Sequence, residues 1–405
     1  MNLFSKRREL LQRNLGNNSI TIFFSSDVND EDNRFKCNRN FYYLTGIDRE
    51  SMILVMLNNN GVYNEHLFIL PYDEKDALWV GGRLTHKEAS SISEINDVRD
   101  YEEFDSFIDR IFNVYRGNEF KVYLDIFNDD NGKPSYASEY GNSLIKKYPH
   151  VVINDVFPFV TKMRLIKDDY ELTCIKQAIQ ITKQGIQAMM KSIKPGLNEM
   201  CMQGVFTFTC NQNVCDEFAF KTIAASGGRA TTLHYSDNNQ VMQNGELFLQ
   251  DLGATFKHYC ADITRTYPVN GKFSERQKEL YQIVLNAQKL VQANARVGVK
   301  IKDLNNLVIN YYRQELPKHG LNGDVSEYYY HNISHHLGID CHDADGGLGA
   351  ILEAGNVITN EPGLYVAEEG IGIRIEDDLL ITGTGAVNLS KDIIKEINDI
   401  EQFMN

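Results

Sequence analysis

The sequence predicts an α/β protein in two domains, on three observations. At 405 residues the chain is longer than one hydrophobic core usually serves. Its first part alternates short apolar runs with helical stretches, and its second part runs through the order helix, helix, hairpin twice. Taken in order, SITIFF, SMILVML, HLFILPY and KVYLDIF read as strands, and the stretches 2–14, 100–115 and 135–148 as helices. No Ser/Gly/Pro-rich linker closes this part. The pattern changes near Phe157–Lys162, giving domains at 1–158 and 159–405.

The second domain opens with a helix from about Asp168 to Lys191 that aligns Leu172, Ile175, Ile179, Ile186 and Met189 on one face. KPGLNE breaks it and starts a shorter helix, and the strand-like runs LFLQDLGATF and YCADITRTYPV follow. Ser274 then opens a second long helix with capping-box spacing to Gln277. Gly298 ends it, KIKDLNNLVINYYRQ forms another helix, and VITNEPGLYV pairs with GIGIRIEDDLLIT.

With 41 Lys and Arg against 55 Asp and Glu, the net charge is −14. That disfavours nucleic acid or an anionic membrane as the main partner. The seven cysteines are an odd number without a CxxC pair, which reads as free thiols in a reducing compartment. The amphipathic start MNLFSKRRELLQRNL lacks the apolar core of a signal peptide, and no apolar run is long enough for a bilayer. Cytoplasmic residence is the expectation.

Five residues carry the chemistry: Asp251, Asp262, His335, Glu361 and Glu376. Four carboxylates and an imidazole suit two divalent cations better than one structural zinc, and a metal pair can activate water against a peptide carbonyl. The hairpins bring them together. A turn at Phe256–Lys257 sets Asp251 opposite Asp262, and a turn at Glu368–Glu369 sets Glu361 opposite Glu376, with Pro362 a place where a bulge could shift the second register. Like charges face to face need a compensating cation, although a single acidic residue in a strand more often points to solvent.

HNISHHLGIDCH holds His331, His335, His336 and His342. A straight strand would put His331 and His335 on one face and His336 and His342 on the other; Gly338 interrupts it. His336 reads as a core histidine, and His234, in TTLHYSD, is a fifth candidate.

LHYSDNN, QDLGATFKHYCADITRTYPVNGKF, HNISHHLGIDCHD and NEPGLYV…GIGIRIEDD together resemble the pita-bread metallopeptidases, and within them the aminopeptidase P (Xaa-Pro aminopeptidase) family. RRELLQRN, RNFYYLTGID and ALWVGGRLT resemble that family's N-terminal domain. The resemblance implies a smaller N-terminal α/β domain before a C-terminal pita-bread α+β domain with a pseudo-two-fold repeat. It implies two metal ions, manganese foremost, with Asp262 and Glu376 bridging, Asp251 chelating one, and His335 with Glu361 completing a site. Glu361 would accept the proton of the bridging water. His234, His331 and His342 would line the substrate pocket, and Arg374 would pair with a ligand carboxylate. Trp79 would reach a neighbouring subunit's site in a homodimer or homotetramer, unless it packs beneath a loop. The implied substrates are peptides with proline at position two.

The chain departs from the family pattern at His336, where a tryptophan is common, and in short connections from His342 to Glu361 and from Glu361 to Glu376. Xaa-Pro dipeptidase shares the five ligands. Methionine aminopeptidase lacks such an N-terminal domain, creatinase lacks the metals, and a non-catalytic peptide-binding module on this fold would have lost ligands.

Overall fold

The computed structural model describes residues 3–26, 37–115, 120–127, 134–344 and 350–405. The chain divides into two compact units, Met1–Met163 and Arg164–Asn405, so the division falls within the helix Phe157–Leu165.

The first unit is built on a six-stranded sheet in the order Asp97–Asp100, Val62–Ile69, Met52–Asn59, Ser19–Phe24, Lys121–Leu124, Val152–Asp155. SITIFF is central and wholly buried, antiparallel to Met52–Asn59 and parallel to Lys121–Leu124. Its apolar run needs cover on both faces. Helix Phe104–Val114 supplies part of that cover by burying Phe104, Phe107, Ile108 and Phe112, residues at helical spacing on one side. The predicted helix over 100–115 begins as a 3-10 turn, Tyr101–Glu103. The edge strands Asp97–Asp100 and Val152–Asp155 are four residues each and none of their residues is fully buried, so apolar patterning does not reveal them.

In the second unit the order helix, helix, hairpin does occur twice. Helices Asp169–Ser192 and Glu199–Gln212 precede the first hairpin; Glu275–Asn294 and Ile301–Glu315 precede the second. Asp168 with Glu171, and Ser274 with Gln277, form reciprocal capping boxes that fix where the long helices start.

The first hairpin differs from its expected register. Thr264, not Asp262, stands opposite Asp251, because the turn lies at Lys257–His258 rather than Phe256–Lys257. Lys257 and His258 both have positive φ, 50° and 64°. That conformation gives a two-residue turn the twist its strands require, and neither residue type announces it. The register moves by two residues, which keeps Asp262 on the face it shares with Asp251. In the second hairpin, Gly363↔Arg374 and Asn360↔Asp377 continue one register through the gap between two ladders. Glu361 and Glu376 fall in that gap, opposite one another as expected, and Pro362 introduces no shift. Among the described residues no helix is long and apolar enough to cross a membrane.

Candidate active site

The first hairpin has a like gap between Leu252↔Ile263 and Thr255↔Cys260, and residues of both hairpins line one cavity of ≈ 710 Å³. Its walls include Asp251, Asp262, His331, His335, His342, His234, Glu361, Arg374 and Glu376. Trp79 does not appear among the described residues of that wall. It lies in the short helix Glu74–Val80 of the first unit and is 88% exposed, so the reading of an aromatic packed beneath a loop does not hold.

The carboxylates converge. Asp262, His335 and Glu376 each bring a donor atom within 4.8 Å of the others. His335 Nε2 lies 3.4 Å from Asp262 Oδ2 and 3.7 Å from Glu361 Oε1. Backbone bonds tie the histidine segment to the second hairpin: Thr359 N–H donates to the His335 carbonyl and Glu361 N–H to the Ile333 carbonyl. His336 stands opposite Ile358 in a bridge closed by Leu337 N–H to the Val357 carbonyl and Thr359 N–H to the His335 carbonyl, and its side chain is buried as expected. The segment is not one straight strand. Past the bend at Gly338, His342 returns to 4.1 Å from His335, ring centre to ring centre, so alternation wrongly separates those two.

Arg374 organises the carboxylate side. It donates from Nη2 to Asp251 Oδ2 at 2.6 Å, from Nε to Thr264 Oγ1 at 3.1 Å and from Nη1 to the Tyr365 hydroxyl at 2.8 Å. Thr264 gives its one hydroxyl proton to Glu376 Oε2 at 2.6 Å. Asp251 Oδ1 is left buried with no hydrogen-bond partner, which is costly unless something cationic meets it. His331 Nδ1 bonds the Asn332 carbonyl at 2.8 Å, so that nitrogen carries the proton and Nε2 accepts from Tyr365 at 2.9 Å. Cys341 donates from Sγ to Asp262 Oδ2 at 3.0 Å, and the Asp262 N–H donates to buried Asp378.

Sequence reasoning misses Thr264, Tyr365, Thr359, Cys341 and Asp378. Thr264 had a usable signal, since it stands two residues from Asp262 on the same strand face. Tyr365 and Cys341 carry no pattern that separates them from core residues.

The electrostatics are those of crowded, buried acids. Burial raises Glu361 to about 7, reinforced by Asp262 and Asp251 and opposed by His335 and Arg374. Burial, then Asp262 and Glu361, pushes Glu376 well above the ordinary carboxylate range. Burial also raises Asp251 against the pull of Arg374. Burial works to lower His335, but its hydrogen bond to Asp262 and the charge of Glu361 outweigh that and hold it up to about 9. Burial and Arg374 bring His331 down to about 3. An orphaned acceptor, several acids reluctant to ionise and one imidazole bound to them all fit divalent cations held by oxygen and one nitrogen.

Buried Glu199, at the start of helix Glu199–Gln212, fastens the segment that carries His234. Its Oε1 accepts from Ser226 N–H at 2.8 Å and from Arg229 Nε at 3.1 Å; its Oε2 accepts from the Tyr235 hydroxyl at 2.8 Å and Gln240 N–H at 3.0 Å. Glu199→Ala strands these donors and is expected to cost roughly 3 kcal/mol of stability. Denaturant unfolding of both proteins checks this, and a loss under about 1 kcal/mol would contradict it.

Residues 173–383 match the model of metallopeptidase family M24, and residues 4–123 that of the aminopeptidase P N-terminal domain. The chain is 33% identical to the Xaa-Pro aminopeptidase of Haemophilus influenzae, over 99% of this chain and 97% of that protein. It is 41% identical to the structure of a Bacillus anthracis protein described as an aminopeptidase P, with a TM-score of 0.95 and coverage of 99% and 97%. Escherichia coli aminopeptidase P, solved with the inhibitor Pro-Leu, matches at 30% identity and a TM-score of 0.89, with the same coverage.

Proposed function

This chain belongs to metallopeptidase family M24 and is a metal-dependent aminopeptidase, and we propose that it releases the first residue of peptides whose second residue is proline. The observation that carries the reading is the convergence of Asp251, Asp262, His335, Glu361 and Glu376 on one cavity, in a chain that also carries an aminopeptidase P N-terminal domain. Those five residues would hold two divalent ions, with manganese favoured by the excess of oxygen donors. When bound, the ions lower the pKa of a water and polarise the scissile carbonyl.

The side chains divide the remaining work. Glu361, near 7 and held by the Thr359 hydroxyl at 3.1 Å, is poised to take the proton of the attacking water and pass it to the proline nitrogen. Arg374 orients Asp251 and opposes the upward push that burial gives its carboxyl. His331 has both ring nitrogens engaged, so it reaches substrate only by giving up the Asn332 carbonyl; its standing task is to hold Tyr365 against Arg374. His234 and His342, on the cavity wall, are placed to steady the substrate carbonyl and the leaving nitrogen. The Xaa-Pro bond is a tertiary amide without an N–H, so a site that asks for no donor there tolerates it.

We also place the enzyme in the cytoplasm as a homodimer or homotetramer, with exposed Trp79 meeting a partner. The test is hydrolysis of matched Xaa-Pro-Yaa, Xaa-Ala-Yaa and Xaa-Pro peptides by manganese-loaded protein. Release of the first residue from Xaa-Pro-Yaa, with Xaa-Ala-Yaa slow, is expected. Cleavage confined to the dipeptide would make the enzyme an Xaa-Pro dipeptidase, and no cleavage of any would remove the proline reading.

A further inference from the structure

Helix Glu199–Gln212 ends in a closure that brings two cysteines together. Asn213 caps it, Val214 follows in the left-handed region at φ 59°, and the Cys215 N–H returns to the Cys210 carbonyl at 3.3 Å. In this closure the side chains of the two bonded residues face one another, and here both are cysteines. The left-handed position ordinarily takes glycine; a β-branched valine costs about 1–2 kcal/mol there. The backbone thus keeps the Cys210–Cys215 approach in spite of local preference.

The pair is asymmetric. Cys210 is wholly buried, while Cys215 is partly open to solvent. The neighbouring Cys210 thiol lowers the pKa of Cys215, while Cys215 and burial raise that of Cys210, so Cys215 supplies the thiolate and Cys210 waits behind it. The segment after Cys215 leads to the cavity. The Cys215 thiol donates to the Glu217 carbonyl at 2.7 Å, and that carbonyl also accepts from Thr255 N–H at 3.0 Å. Ala219 N–H bonds the Gly253 carbonyl at 2.9 Å, and Phe220 and Lys221 are cavity wall.

We propose that Cys210 and Cys215 are a redox pair that closes to a disulfide on exposure to a peroxide, and that closure alters peptide binding through the segment running to Phe220 and Lys221. The Cys215 thiolate attacks one peroxide oxygen; an S–O bond forms, the O–O bond breaks, and hydroxide leaves. Cys210 sulfur then attacks Cys215 sulfur; the S–S bond forms, the S–O bond breaks, and the oxygen departs as water with the Cys210 proton. Two thiols are oxidised and one peroxide is reduced to two waters. Closure removes the thiol donor from the Glu217 carbonyl, loosening the strip that joins the helix end to the first hairpin.

The test uses full-length Cys201→Ser protein, because the tryptic peptide 192–221 also carries Cys201. After hydrogen peroxide and alkylation, that peptide should be lighter than its reduced form by two hydrogens and carry no alkyl group, and dithiothreitol should reverse this. Alkylation of both thiols, or an oxygenated Cys215 without a bond to Cys210, would overturn the pairing. A second arm, which rests on the peptidase reading, compares KM for an Xaa-Pro-Yaa peptide before and after oxidation. KM should rise with kcat little changed, reversibly, and the rise should vanish in Cys215→Ser. A disulfide that forms without moving KM would overturn the link to the cavity. A protein inactive in both redox states would count against the peptidase reading and leave the mass result standing.

Discussion

Asp262→Ala and Glu376→Ala proteins are each expected to lose metal binding and at least about 10³-fold in turnover, while the metal-free proteins fold as well as the wild type or better. The two halves of this outcome have one cause. Glu376 is pushed up by burial and by the nearby charges of Asp262 and Glu361, so these acids repel in the absence of a cation. Removing one relieves that repulsion, and the same removal deletes a ligand both ions would share. Plasma emission on dialysed protein measures the metal, and thermal unfolding with and without manganese measures the balance. A variant that keeps both its metal and its turnover would sink the assignment of these residues. A metal-free variant much less stable than the metal-free wild type would show that the acids are structural instead.

The second large effect is the pH dependence of stabilisation by metal. Glu361 is raised from 4.5 to about 7. A group whose folded pKa is raised contributes stability that is complete below its unfolded value and is lost as pH climbs through the folded value. The metal-free protein therefore loses on the order of 3 kcal/mol from Glu361 between about pH 4.5 and 7. His335, raised to about 9 from 6.5, has the same sign and loses its share above 6.5. His331, lowered to about 3, has the opposite sign: its penalty, a neutral ring where the unfolded chain would be protonated, fades as pH rises toward 6.5. The contrast between metal-loaded and metal-free protein isolates the ligands, which must be deprotonated to bind. The manganese-induced rise in Tm should be small near pH 5 and grow through pH 8. A rise that stays flat or shrinks over that range would contradict the ligand set.

How much of this was legible in the residues differs from element to element. The long helices were, because their apolar faces and capping boxes at Asp168 and Ser274 are local signals. The second hairpin was, because one register runs from Val357↔Leu380 to Val366↔Ile371. The first was off by two residues, since its turn uses positive φ at Lys257 and His258 where a reader expects Asn or Gly. The ligand residues survived that error because a shift of two preserves the face. What the residues could not display is the layer that orients them. Thr264 couples Arg374 to Glu376, and Tyr365 couples it to His331, through bonds between positions about 10 to 110 apart.

The interruption in each hairpin also bears on what the enzyme could become. Pairing resumes on both sides of each gap, so Asp262, Glu361 and Glu376 are anchored between two ladders and Asp251 within the inner one, while the turns lie beyond the outer one. At Lys257–His258 and Ala367–Gly370 the chain could take up new residues at the tips, provided the outer pairs Phe256↔Tyr259 and Val366↔Ile371 still close. Added residues at the tips would thus leave the candidate ligands in register. Insertions inside the gaps have no such freedom: at Gly253 even a β-carbon would collide with the Ala261 carbonyl.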